Sequence, residues 1–109
     1  MALNAEKIAL SMFKAAFPIL KKGAPKIGAF AQGEFRKIAQ QIVTIEAELG
    51  RGRLTRAQAA ILMEMQKSAS RSVLLTAKGL SLLVVEQAIN AALGVVRNAV
   101  NTAIGIQLL

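Results

Sequence analysis

The sequence predicts an all-α fold, and three observations carry the prediction. The 109 residues are rich in Ala (20 copies), Leu, Gln, Glu, Lys and Arg, all of which favour helix. β-Branched residues do not alternate with polar ones, and turn clusters at hairpin spacing are missing. Apolar residues recur instead at three- and four-residue intervals, as in Ile38, Ile42, Ile45 and Leu49. The expected architecture is a helical hairpin with a long apolar C-terminal helix, three to four helices in all, assembling into a homo-oligomer. The chain reads as one module.

Residues 1–24 form a basic amphipathic helix. Asn4 is a good N-cap, and Glu6 falls in the positively polarised first turn. At 100° per residue, Lys7, Ser11, Lys14, Pro18, Lys21 and Lys22 share one face. Ile8, Met12, Phe13, Phe17 and Leu20 fall on the remainder. Pro18 lies in the interior, so a kink or break is expected near Phe17. Lys21 to Pro25 reads as a basic stop and turn.

A second helix covers residues 27–49, with Phe35 and Val43 flanking its isoleucine stripe and Gly50 as a natural stop. Residues 50–55 form a Gly/Arg turn. Thr55-Arg56-Ala57-Gln58 has the form of a capping box and starts the next helix at about Arg56. The short loop favours an antiparallel helical hairpin. No proline follows, so residues 56–109 are expected to form one long or Gly-bent helix, with Gly79 and Gly94 as candidate bends or close-packing points; a break near Gly79 would give four helices instead of three. Unbroken, its roughly 54 residues span on the order of 80 Å.

From Ser72 onwards only Lys78, Glu86 and Arg97 are charged. Glu86, Gln87, Asn90, Arg97, Asn98 and Asn101 gather on about one third of the helix circumference. Apolar residues fill the rest, which is wider than the stripe of an ordinary surface helix. Two arrangements fit: the central helix of an assembly, or a stave in lipid whose polar strip lines a shared lumen. Ala88 with Ala92, and Ala99 with Ala103, are small-residue pairs that suit close packing between copies.

Composition excludes several functions. Without Cys no disulfide forms, and without Cys, His or Asp transition metals have almost no ligands. Ser-His-Asp and Cys-His nucleophile systems are impossible. Ser11 and Lys14 match S-x-x-K, but the S-D-N and K-T-G partners are missing. No Walker A or G-x-G-x-x-G occurs. An enzyme, a cofactor and a small-molecule substrate are therefore not expected.

The net charge is +8, with ten Lys/Arg against four Glu up to Arg56. Lys7, Lys14, Lys21 and Lys22 beside Phe13 and Phe17 have the form of a helix at a membrane interface. In general composition, residues 1–28 resemble cationic membrane-active peptides. Arg51, Arg53 and Arg56 around a glycine turn are candidate phosphate contacts. No recognition-helix or stacking motif accompanies them, so any nucleic-acid binding would be sequence-neutral. A secretion signal is not expected, because Lys14 interrupts the first apolar stretch and Glu6 precedes it. Synthesis in the cytoplasm without cleavage follows, with the product membrane-associated or in an assembled particle.

The function these features predict is a non-enzymatic, self-assembling helical structural protein. It would contact an anionic membrane and form a ring, tube or conduit, as a phage (virion) or secretion-type component. The alternative is a soluble basic packaging or scaffold protein bound to nucleic acid.

Overall fold

The structure, a computed structural model, describes residues 3–78 and 80–109. It contains four helices: α1 (Ala5–Gly23), α2 (Gly28–Gly50), α3 (Arg56–Lys78) and α4 (Leu82–Ile104). No strand occurs among the described residues.

Local chemistry accounts for most boundaries. Asn4 caps α1, its side-chain oxygen accepting from Lys7 N at 3.0 Å. Glu6 and Lys21–Lys22 sit at the ends that the helix dipole favours. The break expected near Phe17 does not occur, because α1 runs through Pro18 to Gly23. Pro18 and Lys14 are both exposed, so the Lys14 carbonyl that loses its donor faces water. α2 ends at Gly50, and the left-handed residue of the turn that follows is Gly52. Gly52 takes a left-handed φ of 71°, Arg53 N donates to Glu48 O, and Gly52 N donates to Leu49 O.

The capping box at α3 forms in both directions. Gln58 N donates to Thr55 Oγ1 at 3.1 Å, and Thr55 N donates to Gln58 Oε1 at 2.9 Å. Thr55→Ala removes one of these bonds and lowers stability by about 1 kcal/mol, measurable by urea denaturation followed by circular dichroism.

The single long helix expected over 56–109 does not form; the four-helix alternative does, with α3 and α4 separate. α3 ends at Lys78, and Ser81 caps α4 by accepting from Val84 N at 3.2 Å. Gly79 lies outside the described residues. Gly94 does not interrupt the helix: it lies exposed within a continuous α4, with open space where a side chain would project. Burial explains the break. A helix on the order of 80 Å long would far outrun a molecule measuring 42 × 22 × 18 Å. Folding back at residue 80 lays the apolar face of α4 onto α1.

Short connections make consecutive helices antiparallel, giving an up-and-down arrangement. α1 packs extensively on both α2 and α4, α2 packs on α3, and α3 meets α4 more lightly. The α3–α4 seam carries an ion pair between Arg71 Nε and Glu86 Oε1. Met12, Leu20, Phe35, Ile38, Ile42, Met63, Leu74 and Ile89 are fully or almost fully enclosed. The radius of gyration, 13.7 Å, matches the ~13 Å of a compact chain of this length. One copy therefore encloses a core of its own.

α4 buries less of its girth than its composition suggests. Val85, Ala88, Ile89, Ala92, Leu93, Val96 and Val100 are its buried residues, and they cover roughly 140° of arc. Leu83 and Val95 remain 67% and 58% exposed. The C-terminal tail folds back: Gly105 takes φ 85°, and Asn101 Oδ1 accepts from Leu108 N at 2.9 Å and Leu109 N at 3.0 Å. That places Leu108 in the core. Asn101→Ala leaves the Leu109 amide unpartnered and the Leu108 amide with only the Ile106 carbonyl at 3.1 Å, which loosens the tail at a cost of about 1–2 kcal/mol. Hydrogen exchange of the Leu108 and Leu109 amides should accelerate at least tenfold.

Candidate functional site

The outer face of α1 is the most distinctive surface of the molecule. Ile8, Ala9, Met12, Ala16 and Leu20 point into the core and fix the rotation of the helix. Lys7, Lys14 and Lys21 then fall in one outward row, each about 10.5 Å from the next. Lys22 and Lys26 extend the basic surface past the end of α1 and are exposed. Beside the lysine row runs an apolar ridge of Leu10, Phe13 and Phe17. Phe13 and Phe17 stack with ring centroids 5.1 Å apart, and Lys21 Nζ lies 5.8 Å from the Phe17 ring centre. Both rings are half-buried, whereas Leu10 is 51% exposed.

Charge pairing singles out the same face. Every Glu is engaged: Glu6 with Arg36, Glu34 with Lys37, Glu48 with Arg51 and Arg53, Glu64 with Lys67 and Glu86 with Arg71. Glu46 accepts from Leu3 N at 3.1 Å, tying the start of the chain to α2. Among the described residues, Lys7, Lys14, Lys21, Lys22, Lys26, Arg56 and Arg97 have no carboxylate within 4.0 Å. Five of these seven cations lie on α1 or the turn after it.

The Arg51, Arg53 and Arg56 turn is different. Glu48 takes Arg51 at 3.3 Å and Arg53 at 3.8 Å, so only Arg56 is uncompensated. All three are exposed. A phosphate arriving there would compete with Glu48 for two of its three cations. The signal was in the sequence, since Glu48 precedes Arg51 by one helical turn.

The polar strip of α4 lies on its outward side, with its two ends engaged. Gln87, Asn90, Arg97 and Asn98 are exposed, but Glu86 is bound to Arg71 and Asn101 holds the tail. Ala88 and Ala92 are fully buried in the chain's own core, whereas Ala99 and Ala103 are exposed. Only the second pair is open to another copy. Among the described residues, no helix is long and apolar enough to cross a membrane, and no three His, Cys, Asp or Glu gather as a metal site.

A groove of about 290 Å³ opens between the first half of α1 and α2, lined by Glu6, Lys7, Ala9, Leu10, Phe13, Gln32 and Arg36. Leu10, Gln32 and Arg36 were not singled out in the sequence. Leu10 could have been, because it falls on the α1 circumference between Phe17 and Lys21. Gln32 and Arg36 join the site only through the packing of α2 on α1.

No family model, curated protein or solved structure matches the chain.

Proposed function

We propose that this chain is a non-enzymatic structural protein that docks on anionic membrane surfaces through the outer face of α1. The observation that carries the reading is the uncompensated Lys7, Lys14, Lys21, Lys22 and Lys26 surface beside the ridge of exposed Leu10 and half-buried Phe13 and Phe17. Lysines near an anionic bilayer each contribute about 1 kcal/mol, and partly exposed aromatic and aliphatic side chains add apolar burial at the headgroup boundary. The contact is peripheral in this reading: α1 lies flat, with its inner face still on α2 and α4. Sedimentation with phosphatidylglycerol vesicles tests it. Binding at low salt that falls as salt rises is expected, with little binding to phosphatidylcholine. No binding to anionic vesicles at low salt overturns the reading. Binding to duplex DNA without binding to vesicles would favour the packaging alternative.

Self-assembly belongs to the same proposal. Ile61 and Met65, at 59% and 63% exposure, lie one turn apart on the outward face of α3, next to Ser68. This face carries few charges beyond Glu64, so copies of a +8 chain can meet there with little repulsion. Copies arranged in this way on a membrane would form a ring or coat. Dye trapped in the vesicles is expected to stay inside, whereas leakage would favour a conduit. Sedimentation equilibrium is expected to show a species larger than the 11.5 kDa monomer. A monomer both in buffer and on vesicles would remove self-assembly from the proposal.

A further inference from the structure

We infer that the groove between α1 and α2 is a discrete binding site for one anionic amphiphile, a lipid-like molecule with a phosphate headgroup and an acyl or alkyl chain. The inference rests on the membrane reading above and assigns it a specific pocket.

The groove has the two-part chemistry such a ligand needs. Ala9, Leu10 and Phe13 supply an apolar wall, and Lys7 and Arg36 supply two cations at its rim. Leu10 is half exposed although it neighbours the core residues Ile8 and Ala9. Methylenes lying on Leu10 and Phe13 would leave water at about 25 cal/mol per Å² buried. At about 290 Å³ the groove is near the lower end of small-molecule sites. It has room for on the order of ten waters. That suits a headgroup and a short run of methylenes, but not a folded peptide or a nucleic-acid duplex.

The rim selects an anion. Lys7 has no carboxylate partner, and Arg36 is held only by Glu6, at 3.7 Å through Nε. Both members of that pair are largely exposed, with side chains 51% and 75% accessible, so their attraction is weak. No hydrogen bond to another side chain engages the terminal nitrogens of Arg36 among the described residues. A guanidinium in this condition can grip two phosphate oxygens at once. The rim sums to one net positive charge, from Lys7 and Arg36 against Glu6. A headgroup entering the site must displace Glu6 from Arg36. Glu6 thus lowers affinity, and neutralising it should raise affinity.

Calorimetric titration with decyl phosphate below its micelle concentration tests the site, alongside inorganic phosphate and decyl maltoside. Saturable binding of decyl phosphate at one site per chain is expected, at least tenfold tighter than either comparison compound. Arg36→Gln should weaken it at least tenfold, Glu6→Gln should tighten it about threefold, and Arg97→Gln, on the outer face of α4, should change it less than twofold. The site is overturned if decyl phosphate does not saturate or if inorganic phosphate binds equally well. It is also overturned if Arg36→Gln, folded by circular dichroism, binds like the unsubstituted protein. Vesicle sedimentation on the same samples separates the two proposals. Vesicle binding without decyl phosphate binding removes the groove alone. Loss of both removes the membrane reading as well.

Discussion

Replacing Lys14, Lys21 and Lys22 together with Gln should lower partition onto phosphatidylglycerol vesicles by about two orders of magnitude at low salt. Each lysine near an anionic surface contributes about 1 kcal/mol, so three amount to about 3 kcal/mol. The change leaves the fold intact for identifiable reasons. All three side chains are exposed, and none has a carboxylate partner among the described residues. Gln and Lys have nearly equal helix propensity. The loss at Phe17 is confined to the Lys21 contact over its ring, worth about 0.5–1 kcal/mol at an exposed site. At high salt the difference between the variant and the parent should shrink, because exposed charges are screened within a Debye length. Sedimentation with vesicles at two salt concentrations measures both effects. A triple variant that binds like the parent at low salt would place the membrane contact elsewhere.

Phe35→Ala should be the most damaging single substitution in the core. Phe35 has no exposed surface and is the largest fully buried side chain. It belongs to α2, which packs on both α1 and α3. Truncation removes the ring and leaves a cavity among rigidly packed neighbours, which costs about 3–5 kcal/mol. Domains of this size are stable by about 5–15 kcal/mol, so the loss is a large fraction of the total. Urea titration followed by circular dichroism should show the midpoint falling with little change in slope. A loss below 1 kcal/mol would mean that the α1–α2 interface is loosely packed around this ring.

The individual helices were legible because their signals are local. Asn4, the Thr55–Gln58 box and the spacing of Ile38, Ile42 and Ile45 each operate within a few residues. The separation of α3 from α4 was legible only as the alternative to one long helix. Ser81 is a good N-cap, but it is followed by Leu82, Leu83, Val84 and Val85, which read as one continuous apolar run. The same run concealed how α4 is covered. Its breadth pointed to burial by other copies, whereas α1 of the same chain covers one side and leaves Leu83 and Val95 in contact with solvent. Pairing across the fold was out of reach altogether. Glu86 with Arg71, Leu3 with Glu46 and Glu6 with Arg36 depend on which helices become neighbours. Those pairings distinguish the engaged charges from the uncompensated ones, so the lysine row was visible in the sequence but its isolation was not.

α1 serves two surfaces at once: its inner residues bind α2 and α4, and its outer lysines remain available. Docking through the outer face therefore requires no rearrangement of the inner one. Thermodynamic linkage follows. A surface that binds the folded chain and not the unfolded one adds its own binding free energy to folding, by RT ln(1 + [L]/Kd). Anionic vesicles should then raise the thermal midpoint progressively with lipid concentration. A helix that had to leave the bundle to reach lipid would lower it. With α1 held between two neighbours, a membrane bound to its outer face would act as a stabilising ligand of the folded state.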